Sequence, residues 1–234
     1  MASEPASRST APDGGAIDRY GVRSSNDRLV DNKGEGHEAL YGVRNFRAVI
    51  ANTLYRGGGN NSTNRYGKRP NRNPLPAQGL ENLCREGFDT AVYMYSEGFA
   101  DAPKKVSCID RRTGKSNTLD YLQMGPYKPA SIREMLELVH RKAKDGGNGN
   151  VAPVYFHCWN GWHASGLIAA YALRQFCDYS GDQAIAYWNL NTDGNDRDPN
   201  FEKLRKQMRD FRPYSDLRLS PAERERLCLP MKSS

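Results

Sequence analysis

The sequence predicts an α/β fold, and three observations carry that prediction. Val154-Tyr155-Phe156-His157-Cys158 is a short apolar run of β character, and a turn with one glycine follows it. From Ser165 the chain continues as Gly-Leu-Ile-Ala-Ala-Tyr-Ala-Leu, rich in the best helix formers. Upstream, a stretch of helical spacing from Leu75 to Gly87 leads straight into an extended apolar run at Thr90–Tyr95, the alternation that a buried sheet uses.

Composition narrows the class further. At 234 residues the chain is one domain, or one domain with extensions, and its core can be sizeable. The net charge of +7, from 34 Lys and Arg against 27 Asp and Glu, favours anionic partners. That excess carries no signal for specific reading of a nucleic acid. No apolar stretch approaches the roughly 18 residues of a membrane span. Five cysteines, at 84, 108, 158, 177 and 228, are odd in number and include no Cys-x-x-Cys pair. That pattern reads as reduced thiols rather than a disulfide framework, and hence as a cytoplasmic protein. A signal peptide removed from the N-terminus would make it secreted or periplasmic instead.

Along the chain, residues 1–36 are rich in Ser, Gly, Asp and Arg and are expected to be disordered or draped over the surface. Residues 37–234 form the single domain. Phe46–Ala51 and Thr53–Arg56 read as short strands. Gly57 to Pro76 is a long polar segment with Arg65, Lys68, Arg69 and Arg72, either a solvated loop or a set of cations for an anionic substrate. The helix over 75–87 puts Leu80, Leu83 and Cys84 on one face. Val106–Ile109 and Thr118–Met124 are extended runs joined by a turn. Gly114-Lys115-Ser116 within that turn lacks the glycine of a nucleotide-binding loop, because Ile109 stands at its position.

Ser131 and Glu134 form a capping box that opens a helix with Ile132, Met135, Leu136 and Val139 at helical spacing. The helix after Cys158 runs to about Asp178. Another follows from Gly181 to Asn191, with Asp182 as its candidate cap, and a third from Pro199 to about Phe211. Asp198 before Pro199 reads as an N-cap, with a general-acid role as the alternative. The Asp193–Asp198 cluster only faintly resembles a calcium loop, since its glycine and final glutamate are out of position. Ser220 and Glu223 make a second capping box.

The strand–turn–helix unit at 154–176 holds the chemistry. Such a unit aims several backbone N–H groups and the positive end of a helix dipole at one point, which makes an anion site. A cysteine at its start has its thiolate stabilised by the same dipoles and becomes a usable nucleophile. The plain alternative is a small apolar filler at the end of a buried strand.

His157-Cys158, five residues, one further position and then Ser165-Gly166 resembles the His-Cys-x5-Arg-Ser/Thr-Gly signature of cysteine-dependent protein tyrosine and dual-specificity phosphatases. Gly161 also fits, and Leu54-Tyr55-Arg56-Gly57-Gly58 resembles the first strand of the bacterial dual-specificity-like members. The resemblance implies a central mixed, largely parallel sheet flanked by helices on both faces. It also implies Cys158 as nucleophile and Ser165 as the hydroxyl that helps the thiolate leave. The turn residues Trp159, Asn160, Gly161, Trp162, Ala164 and Gly166 would cradle the phosphoryl group, and His157 would support the loop. No cofactor or metal is implied.

Two family groups are missing. Ala164 stands where the signature has arginine, and no aspartate lies between Tyr121 and Lys144, where the family carries its general acid. Asp120 is the nearest, within an expected strand. His163, beside Ala164, either serves as a proton donor and partial substitute for the guanidinium or only hydrogen-bonds the loop. Trp159 and Trp162 either wall the pocket or pack on neighbouring helices.

Three functions remain open at this level. The first is an atypical phosphatase-like hydrolase of phosphate monoesters acting through Cys158. The second is an inactive pseudophosphatase that binds a phosphorylated or other anionic small molecule or protein. The third is different chemistry through Cys158 and His163 on the same scaffold.

Overall fold

The computed structural model describes residues 20–59, 63–64, 67–68, 74–145 and 152–231. Among these residues nine strands run in chain order: β1 (Arg28–Val30), β2 (Arg44–Ile50), β3 (Leu54–Gly58), β4 (Thr63–Asn64), β5 (Gly67–Lys68), β6 (Thr90–Tyr93), β7 (Lys105–Ile109), β8 (Ser116–Gln123) and β9 (Val154–Cys158). Seven of them form one sheet in the order β1-β2-β3-β9-β6-β8-β7, and β4 pairs only with β5. The pairs β3–β9, β9–β6 and β6–β8 are parallel, while β1–β2–β3 and β7–β8 are antiparallel edges. The mixed, largely parallel sheet expected from the sequence is therefore the one observed.

Alternation along each strand divides the core into two layers. Leu54, Val92, Val154, Phe156 and Cys158 face one side. Phe46, Tyr55, Ala91, Tyr93 and Tyr155 face the other. Helix α1 (Ala77–Arg85) covers the second side with Leu80, Leu83 and Cys84. The first side is covered by α2 (Pro129–Asp145), α3 (Ala164–Phe176), α4 (Gly181–Leu190), α5 (Glu202–Asp210) and α6 (Pro221–Leu227). Helix α3 is buried almost all round because it lies between the sheet and its neighbouring helices. A fully apolar helix is the kind that such a position requires. Each large side chain it buries there, Leu167 or Phe176 for example, contributes on the order of 2 kcal/mol.

Several boundaries differ from expectation for identifiable reasons. Residues 20–36 supply β1 and bury Tyr20, Val22, Leu29 and Val30, so the packed region begins before residue 37. Residues 1–19 lie outside the described part. Helix α2 starts at Pro129, two residues before the expected cap Ser131. A proline in the first turn removes an N–H that would otherwise lack a partner. The cap of α4 is Ser180 rather than Asp182: its Oγ accepts from Gln183 N at 3.1 Å while Gln183 Oε1 accepts from Ser180 N at 2.8 Å. The Ser220–Glu223 box and the Asp198 cap stand as expected.

The largest correction concerns the cysteines. Cys84 bonds Cys108, tying α1 to β7, and Cys177 bonds Cys228, tying the end of α3 to the end of α6. Four cysteines are paired and Cys158 alone is free. Separations of 24 and 51 residues carry no local pairing signal, so the reading of five reduced thiols fails. Among the described residues, no helix is long and apolar enough to cross a membrane.

Candidate active site

The parallel strands β3, β9, β6 and β8 all end at one edge of the sheet, where open α/β sheets usually hold their ligands. Cys158 is the last residue of β9, and the turn 159–163 carries the chain into α3. Glycines let that turn lie directly against β3. A Cβ on Gly58 would sit 2.4 Å from Trp159 O and 2.6 Å from Asn160 C, a separation that real side chains never show. Gly161 adopts φ +77°, the left-handed region where glycine is unstrained. Gly59 N donates to Cys158 O at 3.0 Å and Asn45 Nδ2 donates to Asn160 O at 2.7 Å, which pins the turn from outside.

The sulfur and the hydroxyl lie side by side. Ser165 Oγ lies 3.4 Å from Cys158 Sγ and donates to Gly57 O at 3.0 Å. Cys158 is only 2 % exposed. Helix α3 has no side-chain cap, and its first i→i−4 bond runs from Leu167 N to His163 O at 2.8 Å. The N–H groups of Ala164, Ser165 and Gly166 therefore have no acceptor within the helix, so its positive end stays open.

The two histidines part company. His157 is fully buried beneath the loop, stacked on Tyr93 at 5.1 Å between ring centroids. Its Nδ1 is 3.1 Å from Cys158 O, an acceptor only, so Nδ1 carries the hydrogen. Nε2 then accepts from Tyr121 OH at 2.7 Å, and that oxygen accepts from Leu75 N at 3.0 Å. Burial lowers His157 to about 4, and the ring is neutral at physiological pH. Its two hydrogen bonds link the Cys158 carbonyl to Tyr121. His163 instead turns away from Cys158. Its Nε2 donates to Asn195 O at 2.6 Å, its ring packs 4.2 Å from Phe201, and its carbonyl accepts from Trp188 Nε1 at 3.1 Å. It latches the turn to the 191–198 loop, and the expected catalytic part for it is not supported by this placement.

Trp162 donates from Nε1 to Asp193 Oδ2 at 3.1 Å, while Trp159 is exposed at the rim. Gly166 lies against Trp188, where a Cβ would come within 3.0 Å of the indole. The acidic loop is committed elsewhere: Asp193 pairs with Arg28 and Trp162, Asp196 with Arg205, and Asp198 caps the following turn. Asp120 pairs with Lys105 on the outer hairpin at 3.1 Å. No carboxylate considered from the sequence reaches the sulfur. The cations at 65, 68, 69 and 72 lie outside the residues whose side chains are described.

Three residues that sequence reasoning passed over complete the surroundings. Arg56 on β3 is wholly buried; its Nε donates to Tyr187 OH at 3.1 Å and its Nη1 to Gly161 O, inside the turn. Arg44 on β2 lies 5.8 Å from the Trp162 ring. Tyr127, on the loop where the general acid was sought, hydrogen-bonds Tyr95. Burial first, and then the nearby Cys158 charge, pushes the Tyr95 phenol up. Burial likewise raises Tyr127, so both stay protonated at neutral pH. The available signal was charge inside strands that otherwise read as buried. Among the described residues no group of three or more His, Cys, Asp or Glu is placed to hold a metal.

No family model matches the sequence. No curated protein matches it either. Solved structures to which the chain is similar include a putative phosphatase (DUF442) from Shewanella putrefaciens, at 16 % identity and TM-score 0.41, covering 73 % of this chain and 95 % of that one. Another is PTPMT1, at 14 % identity and TM-score 0.40, covering 70 % and 95 %. TpbA from P. aeruginosa, solved in complex with pTyr, matches at 16 % identity and TM-score 0.38 over 76 % and 96 %.

Proposed function

We propose that this protein is an atypical cysteine-dependent hydrolase of phosphate monoesters. The observation that carries the reading is the Cys158 sulfur 3.4 Å from the Ser165 hydroxyl, at the uncapped start of α3. In this reading the thiolate attacks phosphorus, the P–O bond to the leaving group breaks, and a phosphocysteine forms. Turn and first-turn amides hold the phosphoryl oxygens. Water then attacks phosphorus, and the sulfur departs as a thiolate beside the Ser165 hydroxyl, whose hydrogen turns from Gly57 O to the sulfur to stabilise it. With none of the carboxylates considered from the sequence at the sulfur, this reading forgoes a general-acid contribution of roughly 10²–10⁴-fold. Substrates whose leaving oxygen departs unaided, aryl rather than alkyl phosphates, are therefore favoured.

Turnover of p-nitrophenyl phosphate tests this. Wild type is expected to release nitrophenol slowly, and Cys158→Ser to lose at least ~10³-fold in rate. An unchanged rate in the serine variant removes the covalent mechanism. A second reading, an oxyanion binder without turnover, is favoured by Ala164 and by the lack of a carboxylate near the sulfur; tungstate binding with no detectable hydrolysis would establish it. The two disulfides support an oxidising compartment over the cytoplasm.

A further inference from the structure

The start of α3 offers amides to an anion but, with Ala164 in place, no charge of its own. Three buried guanidinium groups on the β2–β3 side, those of Arg44, Arg47 and Arg56, keep a nitrogen with no hydrogen-bond partner among the described residues. Arg47 stands opposite Arg56, with its Nη1 donating to Asn26 O at 2.9 Å. Arg56 has an unpartnered Nη2, yet its remaining donors hold Gly161 O and Tyr187 OH, so it is committed to shaping the turn from behind. Arg44 is different. It is only 8 % exposed, its Nη2 donates to a neutral partner, Asn32 Oδ1, and its buried Nε has no hydrogen-bond partner among the described residues.

Position matters as much as the missing partner. Arg44 pairs across the sheet with Gly58, the residue whose missing Cβ lets the 159–161 turn close on β3. Its guanidinium lies 5.8 Å from the Trp162 ring, on the turn that encloses Cys158. Desolvation pushes this arginine below its ordinary range; Asp193 and then Cys158 are the main groups that offset the cost. Asp31 also faces it, but Asp31 Oδ1 is engaged by the backbone N–H groups of Lys33 and Glu35, and Asp193 by Arg28 and Trp162. A buried guanidinium with an unmade bond is costly unless something anionic completes it.

Resting on the phosphatase-type reading, the geometry points to Arg44 as the guanidinium that grips the phosphate-type oxyanion from the β2 side, replacing the arginine that position 164 lacks. The positive charge is thus relocated from the turn to a neighbouring strand. Arg44 is a binding residue here; it takes no part in moving protons.

Tungstate, a tetrahedral oxyanion, is the probe, titrated calorimetrically against wild type, Cys158→Ser, Arg44→Gln and Arg44→Lys, each first checked for an unchanged melting profile. Wild type and Cys158→Ser should both bind. Arg44→Gln should bind at least ~10-fold more weakly, and Arg44→Lys, which keeps charge but loses the fork, should fall between them. Wild-type affinity in a folded Arg44→Gln protein overturns the assignment while leaving the phosphatase-type reading intact. If Arg44→Gln fails to fold, Arg44→Lys decides, and undiminished affinity there also overturns it. If wild type neither binds tungstate nor hydrolyses aryl phosphate, the parent reading falls, and this inference with it.

Discussion

The two flanks of β9 are built from opposite chemistry. On the β3 and β2 side stand three buried arginines, with Arg47 directly opposite Arg56 across the strand pair and Arg44 beyond. Arg47 is lowered to about 9, by burial first and then by Arg56 and Arg28, so like charges are packed together there. On the β6 and β8 side Tyr93 and Tyr121 stack on a neutral His157, and Tyr95, packed on Tyr93, hydrogen-bonds Tyr127. One flank concentrates uncompensated cations behind the turn; the other surrounds the strand end with groups uncharged at neutral pH. The difference bears on the proposed oxyanion site, whose turn has Ala164 and no arginine of its own. The charge needed to hold a dianion can sit in the sheet, provided glycines let the turn approach it.

Breaking the neutral flank is expected to give the largest effect. His157 has a folded value of about 4 against 6.5 unfolded, so between these limits the unfolded chain binds more protons. The stability due to the neutral ring is complete above about pH 6.5 and is lost as pH falls toward 4, a total of roughly 3 kcal/mol. Urea midpoints from pH 7 to 4.5 should show that loss in wild type and a much smaller one in His157→Gln. Equal slopes in the two proteins would contradict the neutral buried ring.

Breaking the cationic flank ranks next. Gly58→Ala forces a methyl group onto the backbone of Trp159 and Asn160, which must separate the turn from β3. A cost of about 2 kcal/mol in unfolding free energy is expected, with tungstate binding weakened as well. A variant as stable as wild type would show that the close approach is dispensable. The smallest effect should come from Tyr121→Phe. It leaves His157 Nε2 and Leu75 N without their partner at a cost of about 1.5 kcal/mol, and tungstate binding should not change. Lost binding in that protein would show that the phenolic flank also touches the anion, and would blur the contrast.

Much of this architecture is legible in the chain. The β9–turn–α3 unit, the strands either side of Asn52, the β7–β8 hairpin and the caps at Asp198 and Ser220 all depend on neighbours within a few residues. Short-range spacing encodes such features. What escaped depends on distant partners. Cys84 and Cys177 meet sulfurs far along the sequence, and His163 is drawn away from Cys158 by Asn195 and Phe201. Arg44 lies before the run read as a strand from Phe46, and Arg56 stands inside a run read only for its β character and its resemblance. Their burial becomes visible only when β3 is laid beside β9. Ser180 outcompetes Asp182 as a cap because Gln183 can return a bond to it, a reciprocity that a search for acidic residues overlooks.

With Cys84, Cys108, Cys177 and Cys228 already joined in pairs, the molecule carries a single free thiol under non-reducing conditions. A maleimide dye or an isotope-coded mass tag added without reductant therefore reads one address. Because that address lies at the floor of the turn, tag uptake becomes a clock for how often the turn opens, measurable in a spectrometer before any substrate has been identified.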